Sequence, residues 1–180
     1  WDLSGQVITF VPSTTAPEGY TWSIAAAPAA YADTPGSGTT TVTQSSQGDS
    51  TSVPYTLAHM GSFEFFGVDY TSIEVGSNGH ITFGTARTGA IYDEDDFFEQ
   101  PIVCGFCEDL DPGASGTVTV DEFADRVTVT FDGVPIWLRS VYNDFQIILR
   151  LNGNVEIYII DAPGVTTSED VFVGIGSDIG

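Results

Sequence analysis

The chain has 180 residues, 42% of them hydrophobic and twelve of them Phe, which is material for one sizeable core without a metal or disulfide merely to fold. Its 25 Asp and Glu face only four basic residues, all Arg, and the formal net charge is −21. Such a surface repels phosphate backbones and anionic lipid head groups, which argues against nucleic acid and membrane surfaces as partners; it suits a salty or calcium-rich medium, where screening and bound cations offset the self-repulsion. No run of 18 or more apolar residues is present, so no membrane-spanning segment is expected. The chain opens at Trp1 without a Met and stops just after a strand-like run, and it reads as a processed piece of a longer protein.

Taken in order, the pattern is strand after strand, with no segment of convincing helical period. Residues 6–11 and 20–26 read as strands around a Pro-containing loop. Residues 33–52 are almost all Thr, Ser, Gly, Gln and Asp and read as a long loop or linker, within which Thr39–Thr43 can pair as an edge strand. This suggests a strand pair over 1–32, a linker over 33–52 and a main domain over 53–180, with one continuous domain over 1–180 as the alternative. From residue 61 onward, three Xaa-Gly dipeptides sit between alternating runs, the signal of hairpins closed by type I′ turns, which need φ > 0 at both central positions. Asn78-Gly79 would join 71–75 to 80–83, Asp132-Gly133 would join 126–131 to 134–138, and Asn152-Gly153 would join 145–151 to 155–160. Val127, Val129 and Phe131 share one face, as do Phe145, Ile147, Leu149 and Leu151. The run 171–176 reads as a last strand. About ten to twelve strands follow, so the expected fold is all-β: an antiparallel, jelly-roll-like β-sandwich, with a barrel as the lesser alternative.

The two cysteines stand as Cys104-Gly105-Phe106-Cys107 inside an apolar strand-like run that leads into Glu108 and Asp109. A redox Cys-x-x-Cys normally sits at a helix N-terminus, which lowers thiol pKa values, whereas neighbouring carboxylates act the other way. Zinc would need two more soft ligands, and only His59 and His80 are present. A local structural disulfide, or two buried thiols, is expected.

The stretch from Gly61 to Gly84, with Phe65-Phe66-Gly67, Tyr70-Thr71 and Val75-Gly76-Ser77-Asn78-Gly79-His80-Ile81-Thr82-Phe83-Gly84, resembles the nidogen-type domain of matrix and adhesion proteins. It is still more similar to related β-sandwich modules appended to secreted bacterial peptidases and polysaccharide-degrading enzymes. The matching parts continue in order through 102–111, 116–120, 126–135 and 145–153, so the resemblance spans about residues 61–176 and leaves 1–60 outside. The cysteine pair departs from the pattern, which would place an apolar or aromatic residue there. The resemblance implies a non-catalytic extracellular accessory or adhesion module.

Three groups of residues are candidates for function. Asp93, Asp95 and Asp96 form one acidic run, and Asp109 and Asp111 another within Glu-Asp-Leu-Asp-Pro-Gly; carboxylates spaced in a Gly/Pro loop suit calcium, and a solvated acidic loop is the plainer reading. Trp22, Tyr92, Trp137 and Tyr142 are candidate sugar-stacking rings, with Arg139 and Asn143 as polar partners; Trp137, alternating with Ile136 and Leu138, suits the core equally well. His59 and His80 have neither metal-ligand spacing nor a nucleophile elbow beside them and read as structural. Carboxylate pairs of the kind glycosidases use are too numerous in so acidic a chain to carry information. The expected function is a non-catalytic extracellular module that binds carbohydrate or glycoconjugate, with calcium as a candidate ion. The alternatives are an adhesion or structural module that contacts neighbouring protein domains or subunits and, as a minor one, a cryptic glycoside hydrolase.

Overall fold

The computed structural model describes residues 2–16, 19–27, 30–44, 48–163 and 171–177. Among these the chain forms fourteen strands and one short helix: β1 (Gln6–Pro12), β2 (Tyr20–Ala26), β3 (Thr40–Thr43), β4 (Ser52–Thr56), β5 (Phe63–Phe65), β6 (Val68–Tyr70), β7 (Ser72–Gly76), β8 (His80–Thr82), α1 (Glu94–Phe97), β9 (Ile102–Cys107), β10 (Thr117–Glu122), β11 (Arg126–Pro135), β12 (Tyr142–Arg150), β13 (Val155–Asp161) and β14 (Phe172–Gly176). A seven-stranded sheet runs β2-β1-β13-β12-β11-β10-β3 and a five-stranded sheet runs β14-β9-β8-β7-β4, while β5 and β6 pair separately. Every pairing is antiparallel, and the architecture is the expected sandwich, with no closed barrel.

The alternation of each strand decides its inner face. Val127, Val129 and Phe131 of β11, Phe145, Ile147 and Leu149 of β12, and Val155, Ile157 and Ile159 of β13 turn inward with no exposed surface. They meet Ile73, Val75, Ile81 and Val103 of the smaller sheet in one continuous core, which Phe63 and Phe65 extend. The sheets pack closely at Gly105, where a Cβ would stand 2.7 Å from the Phe145 ring. Glycine is required there by space rather than by φ.

The outer face of the large sheet is polar yet buried. Thr128, Thr130, Asp121 and Gln146 point away from the core, and residues 30–39 strap across them. Gln146 Oε1 accepts from Ala32 N and Asp33 N, while its Nε2 donates to Asp33 O and Thr130 Oγ1. The Asp33 carboxylate accepts from Thr128 Oγ1 and pairs in bidentate fashion with Arg126, at 2.7 and 2.9 Å. Burial pushes the Asp33 carboxyl up, but the Arg126 and Thr128 hydrogen bonds outweigh it and hold the group below the ordinary value. Asp121 accepts from Gly36 N, Gly38 N and Thr41 Oγ1.

Glu122 faces the other way, into the sandwich. Its fully buried carboxylate accepts from Tyr55 Oη and from the amides of Ala58, His59 and Met60, at 2.7 to 3.1 Å. That cradle ties β10 of one sheet to the end of β4 in the other, and Thr40 Oγ1 meets His59 Nε2 beside it. The β3/β4 side of the sandwich is thereby closed.

Several sequence expectations change. The strands of 1–32 are integral to the large sheet, since β1 lies between β2 and β13. Within 33–52, Thr40–Thr43 form edge strand β3 on β10, as the sequence allowed, while 33–39 belong to the strap; residues 45–47 lie outside the described set. Asp132-Gly133 is not a hairpin turn. It is a bulge inside the single strand β11, which pairs with β12 on both sides of it. Gly133 takes φ 62° there, and its N–H donates to Asp144, whose carboxylate, with that of Asp132, also receives the Tyr31 hydroxyl. The other two dipeptides do sit in hairpins, but in longer loops where only the Gly takes positive φ. A two-residue turn with positive φ at both positions occurs instead at Phe66-Gly67, between β5 and β6. Phenylalanine is a poor residue for that turn, and packing holds it: its ring meets Phe65 at 4.7 Å and Tyr20 at 5.0 Å. Leu151, expected on the inner face, is exposed in the β12–β13 loop.

His80 is fully buried, its Nε2 3.1 Å from the Arg87 carbonyl, and its ring occupies the space a Cβ at Gly76 would need. Burial pushes the imidazole down to about 4 from 6.5. Between these values the unfolded chain binds a proton the folded chain refuses, so stability present above pH 6.5 declines as pH falls and levels off below 4. The His80 contribution to that decline is about 3 kcal/mol. Urea unfolding of the wild type and His80→Asn at pH 7 and pH 4.5 should show the wild type losing the more stability on acidification; equal losses would refute the buried neutral imidazole. Glu122→Ala should cost roughly 3–5 kcal/mol, because three buried amides and a hydroxyl lose their acceptor. A loss below about 1 kcal/mol in the same measurement would contradict the cradle.

Candidate functional site

The turn between β11 and β12 carries Trp137, Leu138 and Arg139. It is tied by Ile136 N donating to Val141 O and Arg139 N donating to Ile136 O. Leu138 adopts φ 55°, a left-handed conformation that costs a leucine on the order of 1 kcal/mol, and leaves its side chain 82% exposed. Backbone strain of this kind needs surrounding structure to impose it. Here the β9–β10 loop does so: Trp137 N donates to Asp109 O at 2.7 Å, Asp111 N to Pro135 O at 2.9 Å, and Leu110 bridges to Ile136.

A second set of bonds brings Tyr92 to the same place. Buried Asn78 accepts from Leu110 N and donates to Thr88 O, joining the β9–β10 loop to the segment after β8. Arg87 then anchors that segment: its guanidinium pairs with Asp96 and Glu99 and donates to the carbonyls of Ala90 and Asp96. Asp93 caps α1 by accepting from Asp96 N, and Asp96 Oδ2 accepts from Tyr92 N. Tyr92 therefore stands 63% exposed on a pinned loop.

The result is an open cleft of about 500 Å³ lined by Tyr92, Asp109, Ile136, Trp137, Leu138 and Arg139. That volume lies in the range of small-ligand sites. Trp137 is 44% exposed, so of the two sequence readings the surface one holds for part of the ring. The cleft also holds a scarce charge. Arg87, Arg126 and Arg150 are all in ion pairs with carboxylates, whereas Arg139 has no ion-pair partner among the described residues. A guanidinium beside an exposed indole and phenol offers stacking surface together with a charged donor.

The other candidates fall elsewhere. Trp22, 67% exposed, lines a different hollow on the β1–β2 edge. Tyr142 opens β12 opposite Pro135 and is half exposed, outside the cleft lining. Asn143 is fully buried and donates to Val134 O, so its amide serves the fold and is not offered to a ligand. Of the acidic residues, Asp93 caps a helix, Asp96 pairs with Arg87, Asp111 closes a turn by accepting from Gly113 N and Ala114 N, and Asp95 is exposed on α1. Among the described residues no three His, Cys, Asp or Glu side chains gather as a metal ligand set. Cys104 and Cys107 are disulfide-bonded and fully buried, where β9 bulges against β14. Sequence reasoning treated Asn78 only as a turn residue and gave Arg87 no role, although together they assemble the cleft. A buried Asn beside a glycine and a basic residue in a cation-poor chain were the available signals.

No curated protein and no solved structure matches the chain. The family model described as NIDO related matches residues 20–178, so the similarity begins well before the residue 61 at which the sequence motifs start. A match over that span, on an antiparallel sandwich of this kind, identifies the chain as a member of the NIDO-related family.

Proposed function

We propose that this chain is a non-catalytic extracellular module that binds carbohydrate or glycoconjugate in the Tyr92–Trp137–Arg139 cleft. The observation that carries the reading is the placement of Arg139. In a chain with 25 acidic residues and four basic ones, three arginines are held in ion pairs and the fourth is presented beside two exposed aromatic rings. A pyranose ring lays its CH face on an indole or phenol, and its oxygens accept from the guanidinium. The extracellular setting is supported by NIDO-related membership and by the Cys104–Cys107 bond, since disulfides persist in oxidising compartments.

A glycan array that includes neutral and uronate-bearing polysaccharides, followed by titration calorimetry on the hits, tests the reading. Trp137→Ala should weaken binding by roughly tenfold or more, and Arg139→Gln by several-fold, with the melting temperature little changed because both side chains are substantially exposed. Trp22→Ala should leave affinity unaltered. An array blank at millimolar glycan, or hits indifferent to both cleft substitutions, would remove the proposal.

A further inference from the structure

The two sheets of the sandwich do not match in width. Among the described residues the small sheet ends at β14 and the large sheet at β2, and the large sheet is the wider by two strands. The inward-facing side chains of β1 and β2 stand in register, Ile8 opposite Ile24 and Phe10 opposite Trp22. With Leu3, Val173 and Ile175 they line a hollow of about 400 Å³ beside the β14 edge. Trp22 and Ile24 remain 67% and 48% exposed there. The opposite side, by contrast, is closed by the Glu122 cradle.

Among the described residues, no strand pairs with the outer edge of β2 or of β14, and neither strand carries the usual guards. Natural sheet edges carry charges, prolines or covering loops that prevent another strand from pairing. No residue of β1, β2 or β14 is charged, and neither β2 nor β14 contains a proline. Edge strand β4, on the closed side, carries Pro54. The chain beside two lining residues is acidic: exposed Asp2 precedes Leu3, and exposed Glu94, Asp95 and Glu99 lie within three residues of Phe97 in the sequence.

From this geometry we propose that the hollow is a strand-docking site. An extended segment of a separate protein pairs through its main chain with the outer edge of β14, as a sixth strand of the small sheet. Its alternate apolar side chains cover Phe10, Trp22 and Ile24, and Lys or Arg at its ends meets these acidic residues. The charge pattern favours a different protein over a second copy of this chain, because a second copy would bring the same acidic residues and the same net charge of −21 to the contact. This surface is separate from the aromatic cleft, and neither proposal depends on the other.

The test uses a panel of synthetic peptides, Lys-Lys at each end, with Val, Ile or Phe alternating with Thr between. Controls have the same composition with Pro at two central positions, which removes the main-chain donors. At least one alternating peptide should bind tenfold or more tighter than its Pro control, and more weakly at 1 M than at 0.1 M salt. Trp22→Asp and Ile24→Asp should each weaken it at least tenfold, and hydrogen exchange of the β14 amides should slow on binding. Trp22 is largely and Ile24 about half exposed in the free chain, and melting curves check that both variants fold. Equal binding of alternating and Pro peptides, no binding by any panel member, or binding indifferent to both substitutions would overturn the proposal. So would self-association by ultracentrifugation that Trp22→Asp abolishes, since the occupant would then be a second copy.

Discussion

Asp121 and Glu122 are neighbours on β10, both fully buried and pointing to opposite faces of the large sheet. A buried carboxylate is stable only with a charge partner or several hydrogen-bond donors, and with four arginines in 180 residues the chain has almost no cations to provide one. Main-chain amides do the work instead. Gly36 and Gly38 donate to Asp121, while Ala58, His59 and Met60 donate to Glu122. One pair of residues thus fixes the strap on the outer face and ties the sheets together within the sandwich. Polar satisfaction, as much as apolar burial, determines where residues 30–60 run.

The same scarcity shapes the surface. Arg126 secures the strap through Asp33, with Phe123 stacked 3.9 Å beneath its guanidinium, and Arg87 secures the loop that presents Tyr92. Arg150 pairs with Glu156 across the β12–β13 hairpin. Each is an internal brace. Arg139 alone stands on a strained turn at an open cleft, and the reading of that cleft as a binding site rests on this difference. The unequal widths of the sheets produce the second surface feature. Where Glu122 closes the β3/β4 side, the β2/β14 side is open and apolar among the described residues.

Much of the architecture was legible in the sequence because strand alternation reports directly on which face is buried: the inward rows of β11, β12 and β13 fall where their spacing places them. Turn chemistry was less reliable. A glycine after a polar residue signals a left-handed backbone position, and a bulge needs that as much as a hairpin does, so Asp132-Gly133 and Asn152-Gly153 look alike in sequence but do different things. The Phe66-Gly67 turn was hidden because ring packing overrides the poor turn propensity of phenylalanine. The strap looked like a linker because its role is carried by backbone amides, to which composition is blind. For the cleft, Tyr92, Trp137 and Arg139 could be named by residue type, but nothing in their spacing separated them from Trp22 or from buried Asn143. Their convergence depends on Asn78 and Arg87, which act through loop carbonyls and amides far apart in the chain.

The two surfaces each carry an exposed tryptophan, and the indole N–H resonances report on them separately. The most direct test is a ¹H–¹⁵N titration of the labelled chain with a soluble glycan, following Trp137 and Trp22 in one spectrum. The account predicts a saturable shift of the Trp137 indole, with the Trp22 indole unmoved. A glycan that shifts Trp22 and leaves Trp137 in place, or one that binds with neither signal changing, would contradict it.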